Sequence, residues 1–221
     1  MDRIFAYNFE QLPFVLLVLL IAFAVHECSH AYFAYKFGDD TAYKQGRVTL
    51  NPRAHLDVLG TLLILLVGFG WAKPVPVNRN AFKKPRLMSV IVSIAGPLSN
   101  LLLAFLFFIL WYVVLVNQWL TLLPGRWPGA VEEFLTIGYK LNTVLFLFNL
   151  IPLPPLDGYR IAHDLAPRST RAKMTQNEHW GTLIFLLIVF IPFLRSITIA
   201  PLFNLADYIN MMMFEIIRFV L

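Results

Sequence analysis

His26, Glu27 and His30 form an H-E-x-x-H pattern, and imidazoles at i and i+4 lie one above the other on a helix face. That spacing lets both rings reach one zinc ion, with Glu27 beside the metal's open position. The chemistry this predicts is metal-assisted hydrolysis, with the carboxylate moving protons. The preceding residues, Leu12 to Val25, carry no charge. Two His and a Glu in such surroundings are expensive to bury, which marks them as functional groups. A helix-packing His pair with an incidental Glu is the plain alternative, and the apolar setting disfavours it. Cys28 occupies a free position of the pattern, faces away from the pair and reads as a small buried residue.

The elements that must hold this set are membrane segments. The chain has 58% hydrophobic and 14% charged residues, against about 25% charged in soluble proteins. We expect an all-α, polytopic membrane protein: one domain over residues 1–221, a helical bundle of about five or six transmembrane segments in a lipid bilayer. The net charge of +5 sits in short loops between apolar runs, where it reads as an orientation signal and does not point to nucleic acid. One cysteine excludes an internal disulfide framework. The first apolar segment, Leu12 to Phe37, encloses the His pair and so is expected to be retained and not cleaved as a signal peptide.

Further segments follow at Leu87–Val116, Glu133–Leu153 and Gly181–Ile199, the last interrupted by Pro192. The tail from Leu202 to Leu221 reads either as a last span or as a helix in the interface. Val58–Trp71 is different: as a helix it reaches only about 21 Å, short of the ~30 Å hydrocarbon core. Trp71–Asn78 alternates around two prolines and is expected to be a short extended loop. The loops Lys73–Arg86 and Arg160–Lys173 are the most basic, so the positive-inside rule places both in the cytoplasm. If Val58–Trp71 dips in and returns, the basic loop after the His pair joins them on that side, and its glycines and short length favour this re-entrant path.

A catalytic zinc needs three protein ligands. With a re-entrant Val58–Trp71, the His pair and Asp157 fall at similar depth, toward the cytoplasmic side. Alone, Asp157 would read as a helix cap or turn residue. Beside a buried His-Glu-His set at matching depth it becomes the candidate third ligand, since Pro152, Pro154 and Pro155 break the helix and Gly158 allows close backbone approach.

Three motifs, HECSH (residues 26–30), IAGPLSN (94–100) and NLIPLPPLDG (149–158), occur in an order that resembles the site-2 protease family of intramembrane zinc metalloproteases. TLNPRAHLD with LGTLL, and GWAKPVPVN, are similar to its small bacterial branch without a PDZ domain. The resemblance covers about Val25 to Arg160, and no departure falls on a catalytic position. It implies zinc on His26, His30 and Asp157, Glu27 as general base, and Asn149 as a polar group near the reacting carbonyl. It also implies transmembrane protein substrates with locally unwound helices, and a bacterial cell membrane. Read from the residues alone, Asn149 is equally an interhelical hydrogen-bonding residue.

His55 reads as structural more than as a residue lining the site, and His163 and His179 as solvated. Gly96-Pro97 reads as a site of close helix packing. The rival functions are a membrane zinc carrier or sensor using the same ligands, which would not require Glu27, and an inactive scaffold binding transmembrane helices.

Overall fold

In a computed structural model that describes residues 8–67 and 70–220, the chain is helical, with no strand among the described residues. Helix α1 (Leu12–Lys36) begins with Pro13 in its first turn and ends with Lys36 in its last. At 1.5 Å per residue its 25 residues reach about 37 Å, enough to cross a bilayer core. A single turn, α2 (Thr41–Lys44), and a 3-10 turn at Pro52–Ala54 lead to α3 (Val58–Val67).

Helix α3 has 10 residues, about 15 Å, or half the hydrocarbon thickness. The Lys73 amide donates to the His55 carbonyl at 2.8 Å, so the chain leaves this excursion beside the point where it entered. That contact agrees with a segment that dips in and returns; residues 68–69, inside the expected re-entrant segment, lie outside the described residues. The following stretch to Asn78 is extended, as its prolines dictate, up to a 3-10 turn at Arg79–Ala81.

Helix α4 (Pro85–Val116) is the spine and packs against α1, α5 and α6. Its Leu98, Leu102, Leu106 and Leu110 recur every fourth residue and are all exposed, an apolar stripe suited to lipid. After a 3-10 turn at Trp119–Leu122, α5 (Trp127–Asn149) runs back for 23 residues, long enough to cross although it carries Glu132, Glu133 and Lys140. The proline-rich turn that follows has a cis Pro154–Pro155 bond and delivers α6 (Asp157–Leu165) and α7 (Arg168–Gln176).

The expected segment Gly181–Ile199 divides. Helix α8 (Glu178–Phe190) ends because Ile191, which precedes Pro192, is extended at φ −88°, ψ 113°. Helices α9 (Pro192–Thr198) and α10 (Ala200–Val220) then form one apolar stretch, Pro192–Phe219, so the tail belongs with the spans by length and composition. Among the described residues, 3 helical stretches are long and apolar enough to cross a membrane: Leu12–Lys36, Pro85–Val116 and Pro192–Phe219. This is an integral membrane protein.

Two cores set the frame. Phe107 and Phe108 of α4 meet Leu135 and Tyr139 of α5 and Met213 and Ile217 of α10. Leu156, next to Asp157, is held by Phe185, Val189 and Ile199, so α8 packs over the turn that aims the carboxylate.

Candidate metal centre

His26 and His30 face inward from the C-terminal half of α1, and Asp157 opens α6, where a carboxylate also suits the helix dipole. All three are at most 7% exposed. Their ligand atoms form a near-equilateral triangle: His26 Nε2 to His30 Nε2 is 3.1 Å, and these lie 3.1 and 3.2 Å from Asp157 Oδ2. Ligands on a tetrahedral zinc with bonds near 2.05 Å stand about 3.3 Å apart.

The protons make the case sharper. His30 Nδ1 donates to the Val92 carbonyl at 2.7 Å, and His26 Nδ1 donates to Asn100 Oδ1 at 2.6 Å. Both Nε2 atoms are therefore lone-pair donors in the neutral rings. With both rings neutral, three lone pairs converge at this distance, an arrangement that a cation among them relieves. The set fits a metal, and two imidazoles with one carboxylate and an open fourth position suit a catalytic zinc.

Asn100 is itself fixed: its Nδ2 donates to Asn142 Oδ1 at 3.1 Å, and Asn142 donates to the Gly138 carbonyl. A relay from α1 through α4 to α5 thus sets the orientation of one metal ligand, the usual role of groups behind a ligating histidine. Gly96 makes this approach possible. A Cβ there would lie 2.3 Å from His30 Nε2 and 2.6 Å from His26 Nε2, so α4 can present only a glycine to the ligands. Gly158 likewise packs against the Leu150 carbonyl, where a Cβ would stand at 2.2 Å, as the close approach expected of it requires.

Glu27 points to the extended segment. Its Oε2 accepts from the Val75 amide at 2.9 Å. That segment is pinned on both sides: Arg47 donates to the Lys73 carbonyl, and Asp39 accepts from the Asn78 amide at 2.6 Å. His55 is fully buried, its Nε2 donating to the Thr49 carbonyl, so it is a loop-holding residue. Burial holds its imidazole below the ordinary histidine range; the bond to Thr49 opposes this and the Arg47 charge adds to it.

A cavity of about 1190 Å³ opens onto His26, Glu27, His30 and Asp157. Apolar side chains such as Leu19, Phe23 and Leu141 line much of it, and Asn149 lies on its wall. The Asn149 Nδ2 donates to the Leu145 carbonyl one turn back. His179 is exposed, as expected. His163 is half-buried instead, with its ring against Tyr159 and its Nε2 2.9 Å from Thr175 Oγ1, because α7 folds back on α6. Asn100 and Gly96 had no site role in the sequence reading; the motif IAGPLSN was their only signal.

Residues 14–123 and 126–192 match the profile of peptidase family M50. The chain belongs to peptidase family M50. It is 53% identical over 204 residues to "Putative zinc metalloprotease YwhC" of Bacillus subtilis, covering 92% of each chain. "Putative zinc metalloprotease Rip2" of Mycolicibacterium smegmatis is 32% identical over 80% of this chain and 66% of its own. "Putative zinc metalloprotease MJ0611" of Methanocaldococcus jannaschii is 30% identical over 72% of this chain and 75% of its own. No solved structure matches the chain significantly. Membership of M50 and the names of these relatives make the chain a zinc metalloprotease, and the buried His26, His30 and Asp157 form a group that fits that metal.

Proposed function

We propose that this chain is an intramembrane endopeptidase that cuts transmembrane proteins within or near their spans, from a centre toward the cytoplasmic side of a bacterial cell membrane. The observation that carries the proposal is the triangle formed by His26 and His30, on a helix long and apolar enough to cross a membrane, with Asp157 at the start of α6, and with Glu27 beside it but bonded elsewhere. Zinc held there supplies Lewis acidity and makes a water molecule nucleophilic near neutral pH. The Val75 amide fixes Glu27 Oε2, which leaves Oε1 to take the proton of the attacking water and return it to the leaving amine. Asn149, on the cavity wall, is the candidate donor to the reacting carbonyl.

A peptide bond inside a helix is shielded by its own hydrogen bonds, so the substrate must unwind locally to be cut. The extended segment offers such a peptide a place to lie. Among the described residues, the Val77 amide and the carbonyls of Val75 and Val77 make no hydrogen bond, and they could add a substrate strand. Pro74 and Pro76 restrict that edge to these groups.

Glu27→Gln separates this function from a carrier or sensor. The expected result is retained zinc with cleavage lowered by about 10²–10⁴. Zinc content and cleavage of single-span substrates are read on the same purified variant. Retained zinc with retained cleavage would refute Glu27 as base, and lost zinc would make it a ligand.

A further inference from the structure

A second cavity, about 330 Å³, adjoins His30 and is walled by the extended segment, by Ser89 and Ser93 of α4, and by Arg79 and Arg160. Its two arginines differ. Arg79 Nη1 lies 2.7 Å from Asp164 Oδ1, so its charge is already matched. Arg160 is half-buried and makes no hydrogen bond or ion pair among the described residues. It follows Asp157 by three residues, hence on the same face of α6, and lines both this cavity and the large one.

Ser89 adds an independent sign. It is 3% exposed, and its hydroxyl has no partner. Helix hydroxyls commonly bond a carbonyl of their own helix, as Ser29 does to Val25 at 2.7 Å and Ser99 to Gly96 at 2.6 Å. Ser89 and Arg160 both line the same small space, and the Ser89 hydroxyl finds no carbonyl there. With Arg79 neutralised, the wall carries one uncompensated positive charge, which matches a single carboxylate. A partly desolvated charge without a partner is costly, so the partner is expected to arrive with a ligand.

We propose that this cavity is a subsite for an acidic side chain, an aspartate or glutamate of the substrate next to the scissile bond, held by Arg160 and by a hydrogen bond from Ser89 Oγ. The proposal rests on the proteolytic reading of the site. It makes Arg160 a specificity-determining residue, since a neutral side chain there would leave the guanidinium without its partner.

The test uses the full-length, zinc-loaded Glu27→Gln chain in nanodiscs and fluorescent single-span peptides. Glu or Gln is placed in turn at successive positions along the part of the peptide that enters the site, and binding is read by anisotropy. One position should favour Glu by about tenfold, the size of a charge-assisted hydrogen bond at a part-exposed site. Adding Arg160→Gln should bring that ratio to about one, Ser89→Ala should reduce it, and Arg160→Lys should keep part of it. Zinc content reports whether each variant retains its fold; if Arg160→Gln loses zinc, Ser89→Ala and Arg160→Lys decide. No position favouring Glu, including no binding at all, overturns the subsite, as does a preference that survives Arg160→Gln. So does a series in which truncated peptides discriminate only between free-acid and amide ends, which would assign the carboxylate to a newly made terminus. Cleavage of the same peptides by the unmutated chain tests proteolysis separately: its absence would sink that reading while leaving a Glu preference in binding intact.

Discussion

At His26 the ring is oriented by a side chain that could be removed without touching the metal. Asn100→Ala deletes the acceptor of the Nδ1 proton, so the ring loses its tautomer and its angle. Zinc affinity should fall about 10–100-fold, and Asn100→Asp, which keeps an acceptor, should restore much of it. Competition with a chelator on purified protein measures both. Gly96→Ala tests a different constraint, since its methyl would overlap both Nε2 atoms. It should lower zinc occupancy more than Asn100→Ala, while Gly129→Ala, where a Cβ meets nothing, should leave zinc unchanged. Of these residues, His26, Glu27 and His30 were legible because one helix fixes their spacing, and Asp157 because depth arguments place it. Asn100 and Gly96 were not, since their roles depend on which face of α4 meets α1, a fact of packing that no local spacing encodes.

The extended segment is where the elements hold Glu27, the proposed base. Asp39 is 1% exposed and accepts from the amides of Thr41 and Asn78. Asp39→Ala would remove the acceptor from two part-buried amides, at about 1 kcal/mol each, and Asp39→Asn should cost less because it keeps one acceptor. Thermal unfolding in detergent measures the order. His55 adds a pH dependence. Its folded pKa lies below the unfolded value, so its contribution to stability is present above about pH 6.5 and is lost as the unfolded state takes up a proton at lower pH. The unfolding midpoint should fall on going from pH 7 to 5.5, and fall less in His55→Gln; equal slopes would remove His55 as the cause. Local chemistry made this region readable, since two prolines force an extended path and α3 is too short to cross. At the segment from Gly181 to Ile199 it caught the interruption at Pro192 but not that the part beyond it runs with α10 as one apolar stretch. His163 also escaped it, because composition cannot tell that α7 covers α6.

For the molecule as a whole, the structure joins parts that hydropathy could only assign to a side. Arg79 pairs with Asp164 at 2.7 Å, and Arg86 donates to the Ala166 carbonyl at 3.2 Å, so the two most basic loops meet. The bond between His55 and Lys73 brings the loop before α3 to the same end. The chain therefore enters α3 and leaves it on one face, and α4 carries it across to the turn at Trp119–Leu122. The positive-inside rule predicts that this shared face is the cytoplasmic one, with the metal centre near it, as proposed above. Single-cysteine labelling in a Cys28→Ser background tests this with an impermeant reagent on intact cells and on inverted vesicles. Positions 44, 80 and 168 should label only from the cytoplasmic side, and the exposed position 122 only from the other. If 44 and 80 labelled from opposite sides, α3 would cross the membrane, and His30 could not lie beside Asp157. If all four positions exchanged sides together, the centre would survive but face outward, and the substrates would be cut from the other side of the bilayer.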